Sequence, residues 1–227
     1  MQDPVFVRNA FAKIASRYVT ANHVLSMGTD ILWRRKTARL VRDMAPASLL
    51  DVATGSGDLA AEIARLIPGI EVTGADFCVP MLEEARKRKV PGLTLIAADA
   101  MHLPFADAAF EMITVAFGLR NMASWPAAVR EMARVLAPSG HLLILDFSLP
   151  TLLGFRGLYR FYLHRILPLL AGMVTGERAA YAYLAGSIEK FPSGQAMCDM
   201  LTANGFSSAK ATPVSGGIAS LYLASKG

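Results

Sequence analysis

The sequence predicts an α/β fold in which helices cover both faces of a mostly parallel sheet. Five apolar segments alternate with helical segments between residues 48 and 147, the pattern of parallel strands joined by helical crossovers. These segments are nearly continuously apolar, as burial on both faces predicts. Near the end of the chain, 207–214 and 218–225 are separated by Ser215-Gly216-Gly217, a link too short for a helical crossover. An antiparallel hairpin therefore completes a sheet of seven strands.

The individual elements follow from the same segments. The five parallel strands are expected at 48–54, 71–77, 93–98, 110–117 and 141–147. The clearest helices are expected at 58–67, 79–89 and 124–136. An insertion at 149–192, rich in leucine, tyrosine and arginine, is expected to form two helices interrupted at Pro168. The whole chain, 1–227, is predicted to be one domain, with an N-terminal helical lid over 1–45.

Composition limits the class of protein. Hydrophobic residues make up 53% of the chain and charged residues 18%, which predicts apolar surface somewhere on the molecule. Charges interrupt every long apolar run and the N-terminus lacks a secretory pattern, so we expect a cytoplasmic protein without a transmembrane helix. Cys78 and Cys198 lie far from each other and from any cluster of the four histidines, which predicts neither a disulfide nor a metal site.

A glycine turn follows the first predicted strand in LLDVATGSGDLA, residues 49–60. Ligands of open parallel sheets bind beyond the carboxyl ends of the strands, where residues without a Cβ let a ligand lie against the backbone. Gly55, Gly57 and Ala60, with Asp76 about 20 residues later, also fit the dinucleotide-binding fingerprint. The spacing alone therefore leaves two classes of ligand open.

Charge favours S-adenosylmethionine over a dinucleotide at this turn. A pyrophosphate at the helix N-terminus would face Asp58, and like charges about 4 Å apart repel by about 4 kcal/mol at an effective dielectric constant of 20. S-adenosylmethionine carries a sulfonium and an ammonium instead, so Asp51 and Asp58 are expected to attract it. Asp76 is expected to accept hydrogen bonds from the ribose, and Asp99 from the adenine amino group. The alternative for Asp58 is a partner of the helix dipole.

Three motifs carry a resemblance to a known family. The signature Y-D-x-M-N-x-x-[LI]-S-x-x-x-H-x-x-W is matched by Tyr18, Asn22, Leu25, Ser26 and Trp33. RVLAPSGHLLILDFS at 134–148 follows a second signature, and FGLRN at 117–121 is the most specific match. By these motifs nearly the whole chain resembles the ubiquinone/menaquinone biosynthesis C-methyltransferases, which are class I S-adenosylmethionine-dependent enzymes. Departures from the two longer signatures occur at Val19, Ala21, Asp30, Ala137, Ser139 and Asp146.

The resemblance implies a Rossmann-like class I methyltransferase fold with S-adenosylmethionine as the methyl donor. By motif, cofactor contacts fall on Ser56, Asp76, Asp99, Ala100 and Ala116. With the residues around the glycine turn, the predicted cofactor set is Asp51, Thr54, Gly55, Ser56, Gly57, Asp76, Phe77, Asp99, Ala100 and Ala116. Ala116 stands where relatives have serine, so only a backbone contact is expected there.

The family reaction moves a methyl group to a ring carbon of a demethylated polyprenyl quinol. The carbon becomes nucleophilic when a neighbouring ring oxygen is ionised, which costs about 4 kcal/mol at pH 7 for a phenol of tyrosine-like pKa. Arg120 is expected to stabilise the phenolate and Asn121 to orient a hydroxyl or a water that takes the proton. Tyr18 and His23 are alternative proton acceptors.

The resemblance also implies a function for the apolar insertion. Polyprenyl quinones lie in the bilayer, and residues 155–165 combine aromatic with basic side chains. This helix is expected either to contact anionic headgroups at the inner face of the cell membrane or to form a lid with its arginines outward. No nucleic-acid partner is predicted. A methyltransferase for another small aromatic or lipid is the main alternative, and a dinucleotide-binding protein is disfavoured by Asp58 and the terminal hairpin.

Overall fold

The computed structural model describes residues 28–169 and 178–227, together with Ala12 and Ser26. The strands are β1 Ser48–Val52, β2 Glu71–Asp76, β3 Leu93–Ala97, β4 Phe110–Ala116, β5 Leu136–Phe147, β6 Ser208–Val214 and β7 Ala219–Ser225. The helices within the described residues are α1 Thr29–Met44, α2 Asp58–Leu66, α3 Val79–Lys87, α4 Trp125–Val135, α5 Leu153–Phe161, α6 Arg178–Lys190 and α7 Gln195–Thr202. Short 3-10 turns at Leu119–Asn121 and Ser215–Gly217 and a π turn at Tyr162–Ile166 complete the described elements.

All seven strands form one sheet in the order β3-β2-β1-β4-β5-β7-β6. Strands β1 to β5 pair in parallel, whereas β7 pairs antiparallel with both β5 and β6. The predicted fold class is therefore confirmed, including the closing hairpin. The direction of the strand order reverses between β1 and β4, and this point opens a crevice at the carboxyl ends of both strands.

Two apolar layers sandwich the sheet. Successive residues of β1 point to opposite sides, so that Leu49 packs with α1 and α2 while Leu50 packs with α4. Helix α1 belongs to the predicted lid. It lies within the apolar layer that contains Leu49, where Trp33 and Val41 are buried. The continuous apolar character of the strands thus reflects burial on both faces.

Two local expectations differ from the structure. Strand β5 begins at Leu136, five residues before the predicted start, because Leu136 pairs with Phe110 before a register shift. The predicted interruption at Pro168 is wrong, since residues 167–169 remain helical and the irregularity is the preceding π turn. Proline lacks the N–H that would bond to the carbonyl of His164, and the wider turn accommodates that loss. Among the described residues, none of the helices combines the length and apolar character needed to cross a membrane.

Candidate active site

A cleft of about 1060 Å³, including the space at its mouth, lies beyond the carboxyl ends of β1, β2, β3 and β4. The predicted cofactor residues that line it are Asp51, Thr54, Gly55, Ser56, Asp76, Phe77, Asp99, Ala100 and Ala116. Gly57 is the exception, although its neighbours Ser56 and Asp58 both line the cleft. The structure therefore brings residues from four separate loops to one site.

Positive φ angles shape the glycine turn between β1 and α2. Gly55 (φ 58°) and Gly57 (φ 73°) adopt left-handed backbone conformations, which glycine reaches without strain. A Cβ on Gly57 would lie 3.1 Å from the Cβ of Ala85 on α3. Gly57, which was predicted to bind the cofactor, does not line the cleft, and its lack of a side chain lets the turn pack on α3. Gly55 does line the cleft.

Asp76 at the end of β2 holds two loops together. Its Oδ2 accepts a hydrogen bond from the Gly55 amide and its Oδ1 from the Cys78 amide, both at 2.8 Å. Burial raises the pKa of Asp76 to about 6, and the two amides partly oppose this rise. A carboxylate has about four acceptor positions, so two amide donors leave capacity for hydroxyl groups of a ligand in the cleft.

Asp51 is more deeply buried than Asp76, and both of its carboxylate oxygens also accept hydrogen bonds. The hydroxyls of Thr54 and Thr114 each donate to it at 2.6 Å, and only 1% of the residue is exposed. Burial raises the pKa of Asp51 to about 6; the two hydroxyls and the positive charge of Arg34 act against this rise, and the negative charge of Asp76 adds to it. At pH 7 the site therefore holds two costly buried negative charges that a cation would stabilise.

Asp58 is paired with a basic residue of the same protein. Its Oδ1 lies 2.6 Å from Nη2 of Arg88, and its Oδ2 accepts a hydrogen bond of 2.6 Å from the Ser56 hydroxyl. Arg88 also donates through Nε to the Ser56 carbonyl at 2.6 Å. Arg88 thus balances the charge of Asp58 within the protein, which weakens the attraction expected of Asp58 for a cation.

The outer wall of the cleft is more exposed. Asp99 follows β3 and accepts a hydrogen bond of 2.9 Å from the Met101 amide, with its side chain 51% exposed. Phe77 lines the cleft from the loop after β2 and is 38% exposed. An exposed carboxylate and an aromatic side chain therefore lie on the open wall of the cleft.

The two residues assigned to catalysis from FGLRN are placed differently. Asn121 lines the cleft, and its Nδ2 donates to the Phe117 carbonyl at 3.3 Å. Arg120 is 4% exposed and is absent from the cleft lining; its Nη1 donates to Asp146 Oδ1 at 2.7 Å and to the Phe117 carbonyl at 2.6 Å. Burial raises the pKa of Asp146, and the guanidinium opposes this rise. The third assigned residue, Tyr18, and its alternative His23 lie outside the described residues.

FGLRN has a steric role that is not evident from its sequence. Phe117 has a positive φ of 58°, and a Cβ on Gly118 would lie 2.4 Å from the Cβ of Ala53. Only glycine lets the turn after β4 approach the turn after β1 this closely. The Phe117 ring packs at 6.1 Å from Trp33 and 4.8 Å from Phe147, between ring centroids. The pentapeptide thus fixes the floor of the cleft.

Arg34 on α1 is a cleft residue that is absent from the set predicted from the sequence. The guanidinium lines the cleft, pairs with Asp30 one turn earlier, and lies 5.3 Å from the centroid of the Phe117 ring. Helical spacing held a usable signal: Arg34 lies four residues after Asp30, and four and seven residues before the apolar Ala38 and Val41.

Comparison with known proteins identifies close relatives. A family model described as the ubiE/COQ5 methyltransferase family matches residues 2–226. A demethylmenaquinone methyltransferase of Thermus thermophilus is 46% identical over 200 residues, 87% of this chain and 91% of that protein. A ubiquinone/menaquinone biosynthesis C-methyltransferase UbiE of Bdellovibrio bacteriovorus is 40% identical over 224 residues, 97% of this chain and 95% of that protein.

Solved structures agree on the fold. A Thermotoga maritima SAM-dependent methyltransferase, described as a possible histamine N-methyltransferase, gives a TM-score of 0.69 at 17% identity and covers 96% of this chain and 99% of that one. The CurJ carbon methyltransferase gives 0.68 at 14% identity, covering 99% of this chain and 61% of that one. At such low identity these likenesses support the architecture alone.

Proposed function

The chain belongs to the ubiE/COQ5 methyltransferase family, and we propose that it methylates a ring carbon of a demethylated polyprenyl quinol in quinone biosynthesis. It is an S-adenosylmethionine-dependent methyltransferase, as predicted. The observation that carries the substrate proposal is 46% identity, over 87% of this chain, to a protein named demethylmenaquinone methyltransferase. The cleft supports it with a site for the methyl donor beside the FGLRN turn.

The residues of the cleft fit the parts of S-adenosylmethionine, which supplies a methyl group bonded to a sulfonium. We assign the ribose to Asp76, whose remaining acceptor positions suit two hydroxyls. Phe77, Asp99 and Ala100 suit the adenine at the open wall. Asp51, with Thr54 beside it, contributes the buried negative charge that favours the cationic end of the molecule. Ala116 offers its backbone to the same cleft.

On the quinol side, Asn121 is the FGLRN residue that lines the cleft, and we assign it to orient the ring hydroxyl or a water that takes its proton. The Phe117 carbonyl accepts from both Asn121 and Arg120. Because Asp146 balances the charge of Arg120, we assign Arg120 to hold this turn in place, as a positioning residue, rather than to touch the phenolate. Tyr18 stays a predicted proton acceptor.

Methyl transfer to carbon tests the proposed function directly. The purified protein, S-adenosylmethionine and a short-chain demethylated naphthoquinol are expected to give a product heavier by one methylene, with the new methyl on a ring carbon by NMR. A benzoquinol substrate in a parallel reaction reports the preferred ring. Methylation of oxygen alone, or of neither quinol while another small aromatic or lipid is methylated, would reject the quinol assignment.

We further propose that the protein meets its substrate at the inner face of the cell membrane through an apolar and basic surface, the α5 surface, formed by Arg156, Leu158, Phe161, Arg165 and Leu169. Leu158 is 65% exposed and Phe161 57%. Arg156 and Arg165 are exposed and have no ion pair with any described residue, whereas Arg160 and His164 both contact Glu189. Apolar side chains that face outward suit a membrane-contacting helix better than a lid with only its arginines outward.

Flotation with vesicles tests this surface. The protein is expected to float with phosphatidylglycerol vesicles at low salt and not with phosphatidylcholine vesicles. Leu158→Ser with Phe161→Ser is expected to lower the floated fraction at least fivefold. Leu32→Ser is the matched control, because Leu32 is equally exposed, at 62%, on α1. Wild-type protein that stays unbound at low salt would disprove membrane contact while leaving the chemistry intact.

A further inference from the structure

We propose that Arg34 binds the carboxylate of the methionine moiety of S-adenosylmethionine and so fixes the orientation of the methyl donor. The donor has one anionic group, its carboxylate. The side chains that line the cleft include Asp51, Asp58, Asp76 and Asp99, and Arg34 is the one basic side chain among its described lining residues. This inference rests on the cofactor and not on the quinol, so its test is independent of the proposed substrate.

The structure holds the Arg34 guanidinium ready for a planar anion. The residue is 8% exposed, and one edge of its guanidinium is fixed by Asp30, which is 3% exposed. Its Cζ lies 5.3 Å from the centroid of the Phe117 ring, within the range of a cation–π contact. A guanidinium has five N–H donors, and within the described residues its hydrogen bonds go from Nη1 to Asp30. Donors on the other edge are thus available to a carboxylate in the cleft.

The positions of the acids support the same orientation. The ammonium and carboxylate of an amino acid share one carbon, so their binding site needs opposite charges close together. Asp51 supplies the negative charge, and Arg34 is near enough for its positive charge to oppose the pKa rise that burial causes in Asp51. Asp76 ends β2 and Asp99 follows β3, which leaves the α1 side of the cleft for the amino-acid end.

A purely structural role for Arg34 makes a different prediction from ligand binding. If Arg34 served only to neutralise Asp30, its replacement would affect every ligand of the cleft alike. If it binds the carboxylate, the effect is confined to ligands that carry one. Decarboxylated S-adenosylmethionine keeps the adenosine, the sulfonium and the ammonium and lacks only the carboxylate, so it separates the two roles.

Calorimetric binding of both molecules to Arg34→Met provides the test. The affinity for S-adenosylmethionine is expected to fall about thirtyfold, as for loss of a charge-assisted bidentate contact. The affinity for the decarboxylated molecule is expected to change less than threefold. Arg35→Met is the control, since that side chain is 55% exposed and lies 3.6 Å from Glu62 on α2; it is expected to bind both molecules as the wild type does.

Asp30 would remain buried in this variant, so the pair is also removed together as Asp30→Asn with Arg34→Met. This double variant is expected to show the same selective loss, and thermal unfolding checks that it is folded. Equal losses for both molecules in whichever variant folds would overturn the proposal, as would unchanged affinity for S-adenosylmethionine. A selective loss accompanied by no methylation of any quinol would reject the substrate proposal alone.

Discussion

Replacement of Asp76 by alanine is expected to weaken S-adenosylmethionine binding at least a hundredfold while leaving the protein folded. The carboxylate is assigned two hydroxyl donors of the ribose, and hydrogen bonds to a charged group contribute about 1.5–3 kcal/mol each. Asp76 also accepts the Gly55 and Cys78 amides, so the variant loosens the turn that supports the ligand. Titration calorimetry measures the loss of affinity.

The effect on stability is expected to be much smaller than the effect on binding. Burial makes the ionised form of Asp76 costly, which is why the pKa rises to about 6, and alanine removes that cost along with the two amide contacts. The opposing changes should keep Tm within a few degrees. Asp43→Ala, at an exposed acid paired with Arg42, is the control and should alter neither quantity. Loss of folding together with binding would contradict this separation.

The same carboxylates make cofactor affinity depend on pH. Asp51 and Asp76 both have pKa values of about 6, and the cation and hydroxyl donors of the ligand favour their ionised forms. Affinity is therefore expected to fall tenfold to a hundredfold between pH 7 and pH 5, and less steeply in Asp76→Ala. Affinity that is level across this range would contradict the assignment.

Stability of the ligand-free protein should respond in the opposite sense. For both groups the folded-state pKa lies above the ordinary value of 3.8, so the folded protein holds a proton more tightly than the unfolded chain does. The stability that these groups contribute is complete below the unfolded value and is lost as the pH rises through about 6. Acidification thus favours their folded, protonated forms and disfavours the bound cofactor.

Sequence patterns predicted the strands and loops that form this site more completely than the pairing of its charged side chains. Hydrophobic periodicity locates strands, and parallel strands bring their carboxyl ends together, so Asp51, Asp76 and Asp99 could be assigned to one edge in advance. Pairing between distant side chains has no such local signal. Arg88 reaches Asp58 across 30 residues, and Arg120 reaches Asp146 across 26. Both contacts changed the role expected of a charged residue.

The requirement for glycine at position 118 also could not be explained from the local sequence. The FGLRN motif was recognisable as a segment, but the reason for its glycine is the Cβ of Ala53 on another loop. Arg34 differs, since helical spacing from Ala38 and Val41 could have placed it on the buried side of α1. Periodicity could not show that this side of α1 borders the cleft.

The buried pair of Arg120 and Asp146 gives the largest stability prediction. Arg120→Met is expected to destabilise the protein by about 3–5 kcal/mol, because it leaves the Asp146 charge, which is fully buried, without its guanidinium. Arg160→Met is a closely matched control: Arg160 lies at the same 2.7 Å from Glu189 but is 54% exposed, and its loss should cost less than about 1 kcal/mol. Denaturant unfolding measures both changes.

A double variant then separates stability from catalysis. Asp146→Asn is nearly isosteric and keeps an oxygen that can accept from the Phe147 amide, which donates to Asp146 at 2.8 Å. Combined with Arg120→Met it removes both charges, and most of the lost stability is expected to return, because replacement of a whole buried pair costs far less than removal of one partner.

Turnover should not return with that stability. Without the bond from Nη1 to the Phe117 carbonyl, the turn that carries Asn121 loses the contact assigned to fix it. The double variant is therefore expected to lower kcat at least tenfold, with cofactor affinity within threefold of the wild type. Full kcat in a stable double variant would show that Asp146 and Arg120 serve folding alone, whereas a selective kcat loss would assign the buried pair to the geometry of methyl transfer.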